Sequence, residues 1–268
     1  MTELPFAATT PVSVADVGLK ARDAEVLARY YREVIGLDEL KRHDGTVVLG
    51  VGGRTLLTIE PAPSAAPDDP REAGLFHTAF LLPSRAALAR WLRHALERRV
   101  ELDGASDHLV SEAIYLNDPE GNGIEIYADR SRELWPWQDG EVAMKTLRLD
   151  FRNLLEAAGE ELWNGAPNGT VIGHVHLRVG NPAEAERWWH ENVGFETMAR
   201  YGPSAVFLAS GGYHHHVGAN AWHSAGAGRR DPARAGLAWV RLSDARADSE
   251  RVLEDPWGTE IRLSPRAA

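Results

Sequence analysis

Short apolar runs recur along the chain, broken by Gly, Pro, Asp and Asn, and between them the apolar spacing lengthens from that of a strand to that of a helix. Residues 19–37 open as a strand, turn at Asp23 and run as an amphipathic helix to Gly36, a residue type suited to the left-handed end of a helix. Strands are predicted next over 47–51 and 55–59. Residues 74–82 read as another strand, Ser84 caps a helix reaching about Arg99, and strands follow to Tyr127. Later, 177–195 repeat the strand and helix with a turn at Asn181-Pro182, and strands are predicted over 206–209 and 214–220. The last unit is shorter: a strand over 236–242, a short helix, and a closing stretch over 255–263.

These units are copies of one another. Residues 19–37 align without a gap on 177–195 at a shift of 158, with Leu19/Leu177, Arg29/Arg187, Glu33/Glu191 and Gly36/Gly194 identical and Tyr30-Tyr31 facing Trp188-Trp189. A shift of 137 sets Asp118-Pro119 on Asp255-Pro256. The pattern is strand, helix and three strands, four times over, an α+β class. Residues 129–170, with Trp135-Pro136-Trp137, two helical-looking stretches and Pro167-Asn168-Gly169, read as a connector. The aromatic pair Trp188-Trp189 reads as core packing.

At 268 residues and 44% hydrophobic content the chain can bury real cores. A net charge of −10 argues against nucleic acid or an anionic membrane as the main partner. No apolar run approaches a bilayer span and no signal peptide is visible at the start, so a soluble cytoplasmic protein is expected. With no cysteine, a metal could be held only by His, Asp or Glu, and there are eleven histidines.

Residues 108–125 carry the strongest chemistry. His108 and Tyr115 precede the turn Asp118-Pro119-Glu120-Gly121-Asn122-Gly123, and Glu125 lies in the strand after it. This stretch resembles the signature of extradiol ring-cleaving dioxygenases in the vicinal-oxygen-chelate superfamily, with Ser106 a mild departure at the place, two before the His, where a small or β-branched residue is usual. Within that superfamily the order of units and the Gly212-Tyr213-His214-His215-His216 run resemble the two-domain catechol 2,3-dioxygenase group. The resemblance implies four βαβββ modules in two curved-sheet domains: 12–128 (modules about 14–60 and 75–127) and 171–265 (modules about 172–222 and 236–263), joined by 129–170. It also implies a metal-dependent dioxygenase acting on a catechol-type vicinal diol with O2, working as a monomer or homodimer.

In this superfamily the metal ligands come from the beginning of the first strand and the middle of the last strand of each module. Module two offers His77 and Glu125, and module three His174 and His216. Module one offers Asp16 and Leu57, and module four Ala238 or Trp239 with Arg262. Leucine and tryptophan cannot hold a divalent ion, and arginine repels one. Pairing two with three, and one with four, therefore gathers His77, Glu125, His174 and His216 in one cup and leaves the other empty and structural. If sequence neighbours pair instead, Asp16 competes with His174. His77, Glu125 and His174 form the two-His-one-carboxylate set suited to Fe(II) or Mn(II).

His216 is expected as a fourth ligand or as a base beside the substrate, facing the same way as His214, and a register shift of one residue would put His215 in its place. His108 and Tyr115 match family positions beside the substrate, and His176 and His214 are expected just outside the ligand set. His43, His94, His190 and His223 read as solvated. Four ligands would instead suit a glyoxalase-type isomerase on Ni(II) or Zn(II), and a metal-free relative would be a small-molecule-binding resistance protein. Glu260 and Arg262 share a strand face.

Overall fold

The computed structural model describes residues 4–266. Module one comprises β1 (Val12–Ala21), α1 (Ala24–Tyr30), β2 (Asp38–His43), β3 (Thr46–Val51) and β4 (Arg54–Pro61). Module two comprises β5 (Gly74–Leu81), α2 (Arg85–Glu97), β6 (Gly104–Asp107), β7 (Ser111–Asn117) and β8 (Gly123–Asp129). The connector holds β9 (Trp137–Gln138), β10 (Glu141–Val142), β11 (Leu147–Arg148) and α3 (Phe151–Glu156), with a 3-10 turn at Arg132–Leu134. Module three is β12 (Val171–Arg178), α4 (Pro182–Val193), β13 (Glu196–Tyr201), β14 (Ala205–Ala209) and β15 (Val217–Asn220). Module four is β16 (Gly236–Asp244), β17 (Arg251–Glu254) and β18 (Glu260–Pro265).

The helices begin and end where the side chains allow. The Asp23, Ser84 and Asn181 side chains accept from the exposed backbone N–H groups of the first turns of α1, α2 and α4. Gly194 ends α4 in the left-handed conformation, and Gly36 does the same after the π turn Tyr31–Ile35 that extends α1. Module four departs from expectation because no helix forms between β16 and β17. Residues 245–250 are polar or alanine, with no apolar stripe to bury, so nothing offsets the cost of nucleating a helix there.

Two sheets result, and they do not follow the two halves of the chain. One runs β17-β18-β16-β1-β4-β3-β2, and the other β11-β6-β7-β8-β5-β12-β15-β14-β13. Module one is thus paired with module four, and module two with module three. The joints are antiparallel: β1 with β16, and β5 with β12. Within each module the first strand lies parallel to the last. One large apolar cluster takes side chains from both sheets and from α1, α2 and α4. Trp189 is buried in it, stacked on Phe195, as core packing predicts.

Candidate metal centre and its cavity

The joint between β5 and β12 determines the site. His77 stands opposite His176, and Ala79 opposite His174, while Ala79 also pairs with Glu125 on β8. In regular strands alternate side chains share a face, so this register brings three donor atoms together. His77 Nε2 lies 3.0 Å from Glu125 Oε2 and His174 Nε2 lies 3.2 Å from it, with 3.3 Å between the two nitrogens. Donors about 2.1 Å from a common centre on one octahedral face sit about 3.0 Å apart, and this triangle has nearly those edges. All three side chains are buried, and no other cluster of three metal-ligating side chains occurs among the described residues.

The protonation states also suit a cation. Burial would raise the Glu125 carboxyl, but His174 and His77 beside it bring it well below its usual range, so it is ionised. Burial pushes His174 down to about 4, against the pull of Glu125, so its imidazole is neutral near pH 7. His174 Nδ1 is buried without a partner. The donor set and its charge therefore fit a divalent ion such as Fe(II) or Mn(II).

His108 and Tyr115 form a bonded pair next to this cluster. Tyr115 faces Glu125 across β7 and β8, and its ring lies 5.7 Å from that of His77. His108 Nδ1 is 2.7 Å from the Lys145 carbonyl, which can only accept, so Nδ1 carries a proton. In the neutral ring Nε2 then accepts from the Tyr115 hydroxyl, 2.6 Å away. Burial, and then the Glu125 charge, hold Tyr115 well above the usual phenol range, so it keeps that proton.

His216 is not in the cluster. Its Nε2 is 2.9 Å from the Ala7 carbonyl and 3.1 Å from Thr10 Oγ1, and its Nδ1 accepts from Ser210 N–H at 3.3 Å. Both nitrogens are committed, and burial lowers its pKa to about 3. His216 therefore does not face the cluster, and a neighbour stands in the place expected of it. The chain bends at His216, before β15 begins at Val217, and the step from Gly212 to Val217 is one residue longer than that from Gly53 to Leu57. Side chains on either side of such an irregularity exchange faces.

His215 instead lines the cavity, its ring 4.0 Å from that of His174. The same offset corrects Leu57: it pairs with Val17 as Val217 pairs with Val175, and it joins the apolar core. His214 reaches Asp129 through Nε2 at 2.9 Å and His215 Nδ1 through Nδ1 at 2.8 Å. The carboxylate fixes a proton on His214 Nε2, so in the neutral rings His214 Nδ1 accepts from His215 Nδ1–H. His215 Nε2 is left with a lone pair and makes no hydrogen bond among the described residues. Sequence alternation favoured His216, with His215 the residue a one-residue register shift would bring in, and it did not point to Asp129; the extra residue after Gly211-Gly212 was the available signal for that shift.

The cavity next to these groups has a volume of about 440 Å³. His77, Glu125, His174, His108, Tyr115 and His215 all line it, with His176, Phe76, Phe207 and Trp222 beside them. Met144 and Thr146 of the connector close one wall. His176 is buried over Gly218, where a Cβ would lie 2.7 Å from its ring, so glycine is required there.

In the other cup Asp16 is tied to Arg241 at 3.1 Å, and Arg262 lies 3.8 Å over the Trp239 ring while bonding Glu260 at 2.6 Å. His43, His190 and His223 are exposed and His94 is half-buried.

A protein of paired βαβββ modules, with a two-His-one-carboxylate cluster at a module joint, belongs to the glyoxalase/bleomycin-resistance/dioxygenase superfamily, and this chain is a member. Residues 13–126 match the family described as Glyoxalase/Bleomycin resistance protein/Dioxygenase superfamily. The chain is 43% identical over 218 residues to the catechol-2,3-dioxygenase of Bacillus subtilis strain 168, covering 80% of this chain and 75% of the relative. Among solved structures, glyoxalase I from Zea mays matches with a TM-score of 0.58 at 11% identity, over 95% of this chain and 92% of that one. The cppA protein from Streptococcus pneumoniae matches at 0.57 and 11% identity, over 94% and 98%. At such identities the structures speak for the fold alone. No helix among the described residues is long and apolar enough to cross a membrane.

Proposed function

We propose that the protein is an extradiol dioxygenase that opens the ring of a catechol-type vicinal diol with O2. The observation that carries this reading is the convergence of His77, Glu125 and His174 at a cavity that also receives Tyr115, His108 and His215. The relative named catechol-2,3-dioxygenase supports it.

His77, Glu125 and His174 would hold Fe(II) or Mn(II), which when bound supplies the charge that acidifies a diol and the electron exchange with dioxygen. Every other role falls to the chain. Glu125 brings one negative charge to a buried site, leaving net positive charge to attract an ionised diol. His215 turns the Nε2 lone pair to the cavity and is placed to take a hydroxyl proton from the diol. His214 and Asp129 hold that tautomer. Tyr115 keeps its hydroxyl beside the ligand cluster, and His108, anchored by the Lys145 carbonyl, fixes its direction. The apolar walls exclude water, which strengthens each of these interactions.

A glyoxalase-type isomerase on Ni(II) or Zn(II) would call for a fourth ligand. His216 has both nitrogens bonded elsewhere, which favours three ligands and open positions. The test is oxygen uptake by protein loaded anaerobically with Fe(II) and offered a panel of catechols. One O2 consumed per diol, with a yellow ring-opened product, is expected. Bound metal without uptake would move the assignment to the isomerase, and failure to bind metal would move it to a binding protein.

A further inference from the structure

Resting on that reading, we infer that the cavity contains, beside the metal centre, a subsite for an uncharged, flat, apolar substituent on the diol ring, selected by Phe76 and Trp222. About 150 Å³ is enough to hold a benzene-sized ring, and this cavity offers about 440 Å³. The surplus space has aromatic walls. Phe76 meets Trp222 at 5.2 Å and 76°, and His176 meets Trp222 at 5.3 Å and Phe207 at 5.6 Å, all edge to face. Such walls present edges and faces to a planar guest, the arrangement aromatic rings prefer.

The charge pattern points the same way. No lysine or arginine side chain lines the cavity among the described residues, and its charged lining groups are the acids Glu125 and Asp103. Asp103 is itself bonded to Asn117 at 2.5 Å. A carboxylate on the diol ring would lose its hydration there and meet no arginine or lysine. Trp222 is 42% exposed and its Nε1 donates to Ser204 Oγ at 3.3 Å, so it stands at the mouth rather than in the core. It can be truncated without emptying the interior.

The test compares catechol, a phenyl-substituted catechol and a dihydroxybenzoate with vicinal hydroxyls. Binding to Fe(II)-loaded protein is measured by calorimetry without oxygen, and KM by oxygen uptake, for the native chain and Trp222→Ala. The phenyl compound should bind about tenfold more tightly than catechol, and the benzoate about tenfold more weakly. Trp222→Ala should remove most of the phenyl advantage while changing catechol binding less than about twofold.

The subsite is refuted if catechol binds and consumes O2 while the phenyl group gives no gain. It is equally refuted if the benzoate binds as well as catechol, or if Trp222→Ala weakens catechol and phenylcatechol alike. If the phenyl compound binds preferentially and Trp222-dependently but no diol consumes O2, the subsite stands and the dioxygenase reading falls. If none of the three binds, both fall.

Discussion

Asp16, Arg262 and Trp239 occupy in one sheet the positions that His174, Glu125 and His77 occupy in the other. The registers make the correspondence strict. Val17 pairs with Val240 as Val175 pairs with Thr78, and Gly18 faces Trp239 as His176 faces His77. Arg241 pairs with Arg262 as Ala79 pairs with Glu125. One backbone plan therefore supports two outcomes. In the first sheet a large indole fills the cup, a guanidinium covers it, and Gly18 makes room, since a Cβ there would lie 2.4 Å from the Trp239 ring. In the second, small and apolar neighbours leave three donors facing a cavity. The comparison teaches that the module joint supplies only geometry, and that a handful of side chains decides whether it becomes a cluster of metal-ligating side chains or a sealed packing site.

The sharpest way to break this comparison is to exchange its key positions. His174→Ala should lower metal affinity on the order of a thousandfold or more, because one of three ligands is lost. Asp16→Ala should leave metal content unchanged and cost about 1–3 kcal/mol of stability, since Arg241 loses its buried partner and keeps only Ser264 and Glu250. Metal analysis after dialysis and thermal unfolding measure both. The reverse result would mean that the other cup is the metal site.

A second pair of variants separates neighbours. His215→Gln should retain metal and lower kcat by about 10²–10⁴-fold, the usual worth of a positioned acid or base. His216→Gln should retain both metal and kcat but lose about 1–3 kcal/mol of stability by disturbing its buried bonds to Ala7, Thr10 and Ser210. Loss of metal in the His216 variant would restore it as a ligand.

The sealed cup gives a third contrast. Trp239→Ala should cost about 3–5 kcal/mol, as for other large buried aromatics, with kcat per folded molecule preserved. Glu260→Ala removes only a half-exposed partner of Arg262 and should change stability by less than about 1 kcal/mol. A dead Glu260 variant would show that the second cup takes part in the reaction.

What could be read from the sequence followed regularity. The pairing of module two with three was legible because ligand types were present together in those two modules and missing from the other two. His77, Glu125 and His174 were legible because the register is regular from His174 to His176 against Ala79 to His77, between the two irregularities of β12, and β8 pairs with β5 without a shift. His216 was misplaced because the chain bends there before β15, and a bend leaves no trace in residue spacing beyond one extra position. The connector's share of the cavity, Met144 and Thr146, was also invisible, since irregular backbone has no period from which facing residues follow. The expected helix in module four failed for want of an apolar stripe, a sign that repeat homology had outweighed local pattern.

The turns ahead of β8 and β18 are a final point of contrast. Asp118 and Asp255 are both buried and accept from the backbone of their own turns, but Asp118 also accepts from Tyr31 and Asn122 side chains. For Asp255, burial, only partly opposed by Thr259 and Trp257, raises the carboxyl to about 6 from 3.8. The unfolded chain therefore loses this proton at lower pH than the folded one. Stability tied to the group is full below about pH 4 and is lost as pH rises to about 6, by about 2–3 kcal/mol. Asp255→Asn keeps an acceptor for the turn and removes the ionisation. It should raise Tm relative to the native chain at pH 8 and leave it unchanged or slightly lower at pH 4. Equal Tm differences at both pH values would show that the carboxyl titrates alike in the folded and unfolded chain, and that the turn before β18 is open to water.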